Sequence, residues 1–148
     1  MSDRETVSTL NELIAVSRDG EKGFARAAAD SKDPALIKVF AESERSCRQA
    51  AEELQDEVRT LSARGEEGGS FRAARHRGWS NLKNVMSTRD NRVILEECEK
   101  AEDYAQSRYA EAMKLTWPAS LRAVIERQYQ AVIANHDRVR DLRNRYRA

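Results

Sequence analysis

An all-α fold, two long helical hairpins joined by a crossover that contains a shorter helix, is predicted by three properties of this 148-residue sequence. Apolar residues recur in steps of three and four along most of the chain, which puts them on one face of an α-helix. Charged residues make up 34% and apolar residues 40%, with only six Gly and two Pro, a balance that suits long solvated helices better than a sheet. The breakers cluster at three places, near 31–34, 64–70 and 116–118, so they divide one domain (1–148) into a hairpin over 6–63, a crossover over 64–88 and a hairpin over 89–147.

The first helix is predicted from Thr6 to Asp30, with Leu10, Ile14, Ser17, Glu21, Phe24 and Ala28 on its inner stripe. "SRDGEKGFARAA" puts Gly20 and Gly23 in that helix, where each costs about 1 kcal/mol against alanine. The spacing predicts that a neighbouring helix or the crossover presses against the backbone there. The helix stops at "DSKDP", where Asp33 is suited to an N-cap and Pro34 to the first helical position. A second helix runs to about Ala63 with Ile37, Phe40, Glu44, Cys47, Ala51, Leu54, Val58 and Leu61 facing inward.

"RGEEGGS" (64–70) reads as a flexible stretch, followed by a shorter helix capped by Ser70. Its inward residues are Phe71, Ala74, Leu82 and Val85 or Met86, with Trp79 covering a seam. "TRDN" (88–91) opens another long helix carrying Leu95, Cys98, Glu102, Ala105, Tyr109, Ala112 and Thr116. "TWP" (116–118) starts the last one, with Leu121, Ile125, Gln128, Val132, Val139, Leu142 and Tyr146 inward. Counting leaves open whether Asn135 or His136 joins that face. Four long helices with one long crossover form the ferritin-like order, in which the two hairpin turns lie at opposite ends.

Three of the four seams carry a glutamate near their middle: Glu21, Glu44 and Glu102. Glu21 and Glu44 fall about 17 Å from the first turn and Glu102 roughly 23 Å from the second, at 1.5 Å per residue. These add to the ~40 Å length of the helices, so the three carboxylates meet at one level, with His136 near it on the last seam. Carboxylates and an imidazole on facing helices suit a di-iron or di-manganese site. The usual pattern takes a Glu from two helices and Glu-x-x-His from the other two. Here Glu44 is followed by Cys47 where histidine belongs, and His136 is preceded by Ile133 where glutamate belongs. We therefore expect a degenerate cluster, with Glu21, Glu44, Glu102 and His136 as candidate ligands for iron or manganese. The alternative is that these groups satisfy one another, helped by Tyr104, Tyr109 or Tyr129.

Net charge is +1, which offers no global attraction to nucleic acid. Arg138, Arg140, Arg143, Arg145 and Arg147 near the C-terminus are interrupted by Asp137 and Asp141 and suit a solvated face beside a helix end. His76 has no ligand partner at helical spacing, and no phosphate loop, catalytic triad or zinc pair is present. No apolar run approaches the roughly 20 residues that span a bilayer, and "MSDRETVSTL" lacks the order of a secretory signal. Cys47 and Cys98 read as reduced, small apolar residues, which places the chain in the cytoplasm.

"LNELIAVSRDGEKGFARAAADSKDPAL" (10–36), "HRGWSNLK" (76–83), "ILEECEKAEDYA" (94–105) and "ERQYQAVIANHDRVRDLR" (126–143) resemble a bacterial family of ferritin-like four-helix-bundle proteins of unknown function, common in proteobacteria. Typical members have a Gly in the segment matching "EKAED" and a Gly-Gly-x-Pro turn in place of "SARGEE", differences of surface and turn. The resemblance implies a ferritin-like bundle and supplies no catalytic residue. The sequence thus predicts a cytoplasmic binding or stress-associated protein, homodimeric, with no membrane or nucleic-acid partner. Its alternative is a metal-binding protein that handles oxygen or peroxide.

Overall fold

A computed structural model describes residues 2–63, 79 and 81–146. Over these residues the chain is all-helical, with α1 Asp3–Asp30, α2 Pro34–Ala63, α3 Leu82–Ser87, α4 Asn91–Met113 and α5 Ala119–Arg145. No helix among the described residues is long and apolar enough to cross a membrane.

Helix starts follow local chemistry. The Ser2 hydroxyl accepts the Glu5 amide at 3.1 Å, so α1 begins three residues before the expected Thr6. Asp33 accepts the Ala35 amide at 2.9 Å and the Leu36 amide at 3.4 Å, which caps α2 as predicted. Asp90 does the same for α4, accepting from Arg92 and Val93. The turn before α5 is held by the Trp117 indole, which donates to the Ala112 carbonyl at 2.7 Å. Pro118 stands just before α5 as its cap residue, and Thr116, expected on the α4 stripe, is exposed beyond the helix end. In the crossover, Leu82, Val85, Met86 and Trp79 are buried, while the predicted helix start at Ser70 and its Phe71 and Ala74 lie outside the described residues, as does His76.

The long helices neighbour one another in a ring: α1 packs along α2, α4 along α5, α1 against α4, and α2 against α5 in the thinnest of these contacts. Residues early in α1 (Val7, Leu10, Leu13) pack with Tyr109 and Ala112 late in α4, and Phe24 and Ala27 pack with Leu95 and Cys98. Helices α1 and α4 are therefore antiparallel. Contacts from Asp33 to Tyr146 and from Glu53 to Arg127 make α2 and α5 antiparallel as well. The α1–α2 turn then lies at one end of the molecule and the α4–α5 turn at the other.

The core has two apolar clusters. One surrounds Phe24, Phe40, Leu95 and Val139 near the first turn; the other surrounds Leu10, Leu54, Tyr109 and Ile125 near the second. The two inner glycines behave as their spacing predicts. A Cβ on Gly20 would stand 2.7 Å from Cys47 Sγ, and one on Gly23 would stand 2.5 Å from the Trp79 ring. Trp79 also meets Phe24 edge-on, with ring centroids 5.0 Å apart, so the crossover seals the α1 backbone.

Candidate functional site

Between the two apolar clusters lies a cavity of about 420 Å³, within the size range of small-molecule sites. Its floor comes from α1 and α4, where Val16, Ser17, Gly20, Ala101, Glu102 and Tyr109 are buried. Its mouth lies between α2 and α5, where the lining residues Ser46, Gln49, Arg127 and Ala131 are exposed. The opening thus falls at the thinnest seam of the ring. Arg127 forms an ion pair with Glu53 across that mouth.

Glu102 is the one carboxylate on the cavity floor among the described residues, and it is 5% exposed. Burial pushes its pKa up to about 7, against the lowering effects of the Asn135 hydrogen bond and of His136 and Arg138. Asn135 Nδ2 donates to Glu102 Oε1 at 2.8 Å. The Asn135 amide is oriented from behind, because Arg138 Nη2 and the Ser43 hydroxyl both donate to its Oδ1 at 2.8 Å. Arg138 in turn pairs with Glu42 at 2.8 Å. A surface ion pair therefore fixes which end of the amide faces the buried carboxylate.

A second polar group lies towards the α4–α5 turn. The Tyr109 hydroxyl donates to Gln128 Oε1 at 2.8 Å, and the Ser17 hydroxyl stands 3.4 Å from the same phenol oxygen. Gln128 Nε2 donates to Glu53 Oε1 at 2.7 Å and to the Ala50 carbonyl at 3.3 Å. Burial, the largest influence, raises the Tyr109 pKa, so the phenol is held neutral as a donor. The Cys47 thiol on the same wall is raised by burial and then by Glu102, Glu21 and Glu44. Both effects favour the protonated thiol.

The four expected metal ligands are distributed as follows. Glu21, Glu44 and Glu102 all lie within electrostatic reach of Cys47. Glu21 is half-buried and accepts from Arg18 at 2.7 Å, and Glu44 is half-buried and accepts from Arg48 at 2.7 Å. His136 turns to the flank of α5, between Asp103 and Asp137. Burial lowers its pKa, but hydrogen bonds to Asp137 and Asp103 outweigh this and raise it overall. Among the described residues no group of three or more His, Cys, Asp or Glu side chains is arranged to hold a metal ion.

The choice between Asn135 and His136 falls to Asn135, which faces the cavity. Sequence reasoning placed Gln128 inward, left open Asn135 or His136, and missed that Asn135 donates to Glu102 and that Gln128 accepts from Tyr109. It also missed Glu97, which is buried, accepts the Asn81 amide at 3.1 Å and pairs with Lys100 at 2.8 Å. Of the C-terminal arginines, Arg138, Arg140 and Arg143 pair with Glu42, Asp137 and Glu99.

No curated protein matches the chain significantly. A family described as a domain of unknown function, DUF2383, matches residues 5–115, which takes in α1, α2, the crossover and α4. The chain belongs to the DUF2383 family.

Proposed function

We propose that this chain is a ferritin-like four-helix-bundle binding protein that holds a small ligand in the cavity between α2 and α5. The observation that carries this reading is the cavity itself: about 420 Å³, half-open, with small apolar walls and a buried carboxylate on its floor. The up-down-down-up helix directions support the ferritin-like assignment. Two of the carboxylates that a dinuclear oxidase centre would use are held by Arg18 and Arg48, which supports a binding role over oxygen chemistry. In this reading the protein is a cytoplasmic homodimer. A thermal-shift screen of small organic molecules against the full chain tests it: hits must lose their effect when Ala131→Phe narrows the mouth. Hits indifferent to that change would refute it, and light scattering at micromolar concentration checks the dimer.

A second reading starts from the electrostatic coupling of Cys47 to Glu21, Glu44 and Glu102, and needs Glu21 and Glu44 to leave Arg18 and Arg48. It is an iron- or manganese-binding protein that uses those carboxylates with His136. Stoichiometric iron or manganese that disappears in Glu44→Ala would establish it over the first reading. Absence of uptake under anaerobic ferrous loading would dismiss it.

A further inference from the structure

We propose that the cavity takes an organic monocation, an ammonium group bearing a compact apolar body, with Glu102 as its counter-ion. The proposal rests on the binding-site reading above and deepens it by naming the ligand class.

The hydrogen-bonding inventory of the cavity points this way. The buried donors on its floor are already turned to protein acceptors, the Tyr109 hydroxyl to Gln128, the Gln128 amide to Glu53 and Ala50, and the Asn135 amide to Glu102, while Ser46, Gln49 and Arg127 stand at the exposed mouth. An anion reaching the floor would therefore find few free donors and would face the carboxylate of Glu102, with Glu53 on the same cavity wall. The nearby cations are engaged elsewhere: Arg138 with Glu42, Arg127 with Glu53, Arg18 with Glu21 and Arg48 with Glu44. Among the described residues, none of the ion pairs includes Glu102. A buried carboxylate held in place by an oriented amide, with no direct ion-pair partner among the described residues, is a site for a charged donor. The walls around it are apolar or small (Val16, Ala101, Ala105 and Val132), which suits a hydrocarbon body.

Calorimetric titration of the full chain with n-pentylammonium, pentanol, pentanoate and Mn²⁺ tests the proposal. We expect n-pentylammonium to bind once per chain at pH 8, at least about tenfold more tightly than pentanol or pentanoate. Glu102→Gln, which keeps the side-chain shape and the Asn135 contact, should weaken it at least about tenfold. Pentanol or pentanoate binding as tightly as the amine, or amine binding indifferent to Glu102→Gln, would overturn the cation assignment while leaving the cavity as a binding site. Mn²⁺ binding lost in Glu102→Gln, without amine binding, would overturn it in favour of the metal reading. No binding by any of the four probes would overturn the assignment, and if the thermal-shift screen is also empty the binding-site reading fails with it.

Discussion

Glu102 sits on the inner face of α4 with one hydrogen bond, from Asn135, and no ion pair among the described residues, and its burial favours the neutral form. The folded protein holds this proton up to about pH 7, whereas an ordinary glutamate releases it near 4.5. Between those values the folded state binds more protons than the unfolded chain, so stability falls as pH rises through the window. The loss is on the order of 3 kcal/mol by pH 8. Glu102→Gln should flatten this part of the stability–pH profile and be the more stable protein at pH 8, as measured by urea unfolding. His136, also raised, adds a smaller decline of the same sign, and the difference between the two profiles isolates Glu102. Asn135→Ala should move the Glu102 titration upwards and cost about 1–3 kcal/mol at pH 8. At this scale the sequence was only partly legible. Helical counting reaches a common depth for three carboxylates, but it cannot show that Arg18 and Arg48, on the same helices, hold two of them. Nor can it separate Asn135 from His136, because adjacent residues straddle a seam edge and the partner Asp103 decides which turns outward.

At the scale of elements, boundaries were legible wherever a capping side chain or a proline marks them. Asp33 and Pro34 start α2, and Asp90 starts α4. Asp33 has a second task, since the Tyr146 hydroxyl at the end of α5 donates to its other oxygen. Asp90→Ala should therefore cost about 1 kcal/mol as a lost cap, and Asp33→Ala more than that. Tyr146→Phe should account for the excess in a double-mutant cycle read by urea unfolding. The crossover was legible in its function as a cover. Trp79 lies on Gly23, so Gly23→Ala should destabilise in the natural chain although alanine is the better helix former. In a Trp79→Ala background the same substitution should become stabilising by up to about 1 kcal/mol, and thermal melts of the four proteins decide this.

For the whole molecule, helix order and direction followed from loop lengths, because short turns force antiparallel neighbours and a long connection allows a crossover. The cavity did not follow. It arises from small residues on three different helices (Gly20, Ala50, Ala101 and Ala105), each of which reads in isolation as an ordinary packing position. Division of the core into two clusters predicts uneven resistance to opening. Amides of α5 near Val132 and Asn135, beside the mouth, should exchange with solvent faster than those near Ile125 and Val139, and hydrogen exchange measures the contrast. The position of the two turns at opposite ends has a further consequence during synthesis. The α1–α2 hairpin is complete once Ala63 is made, yet its apolar seam waits for α4 and α5. At roughly 5–20 residues per second, the rest of the chain follows seconds later. In that interval the nascent hairpin exposes Phe24, Phe40 and Leu54 together, and it is then that a chaperone would be needed most. Pulse-labelled refolding of the full chain should show α1 and α2 amides protected before those of α5, and simultaneous protection would show that the two hairpins condense as one.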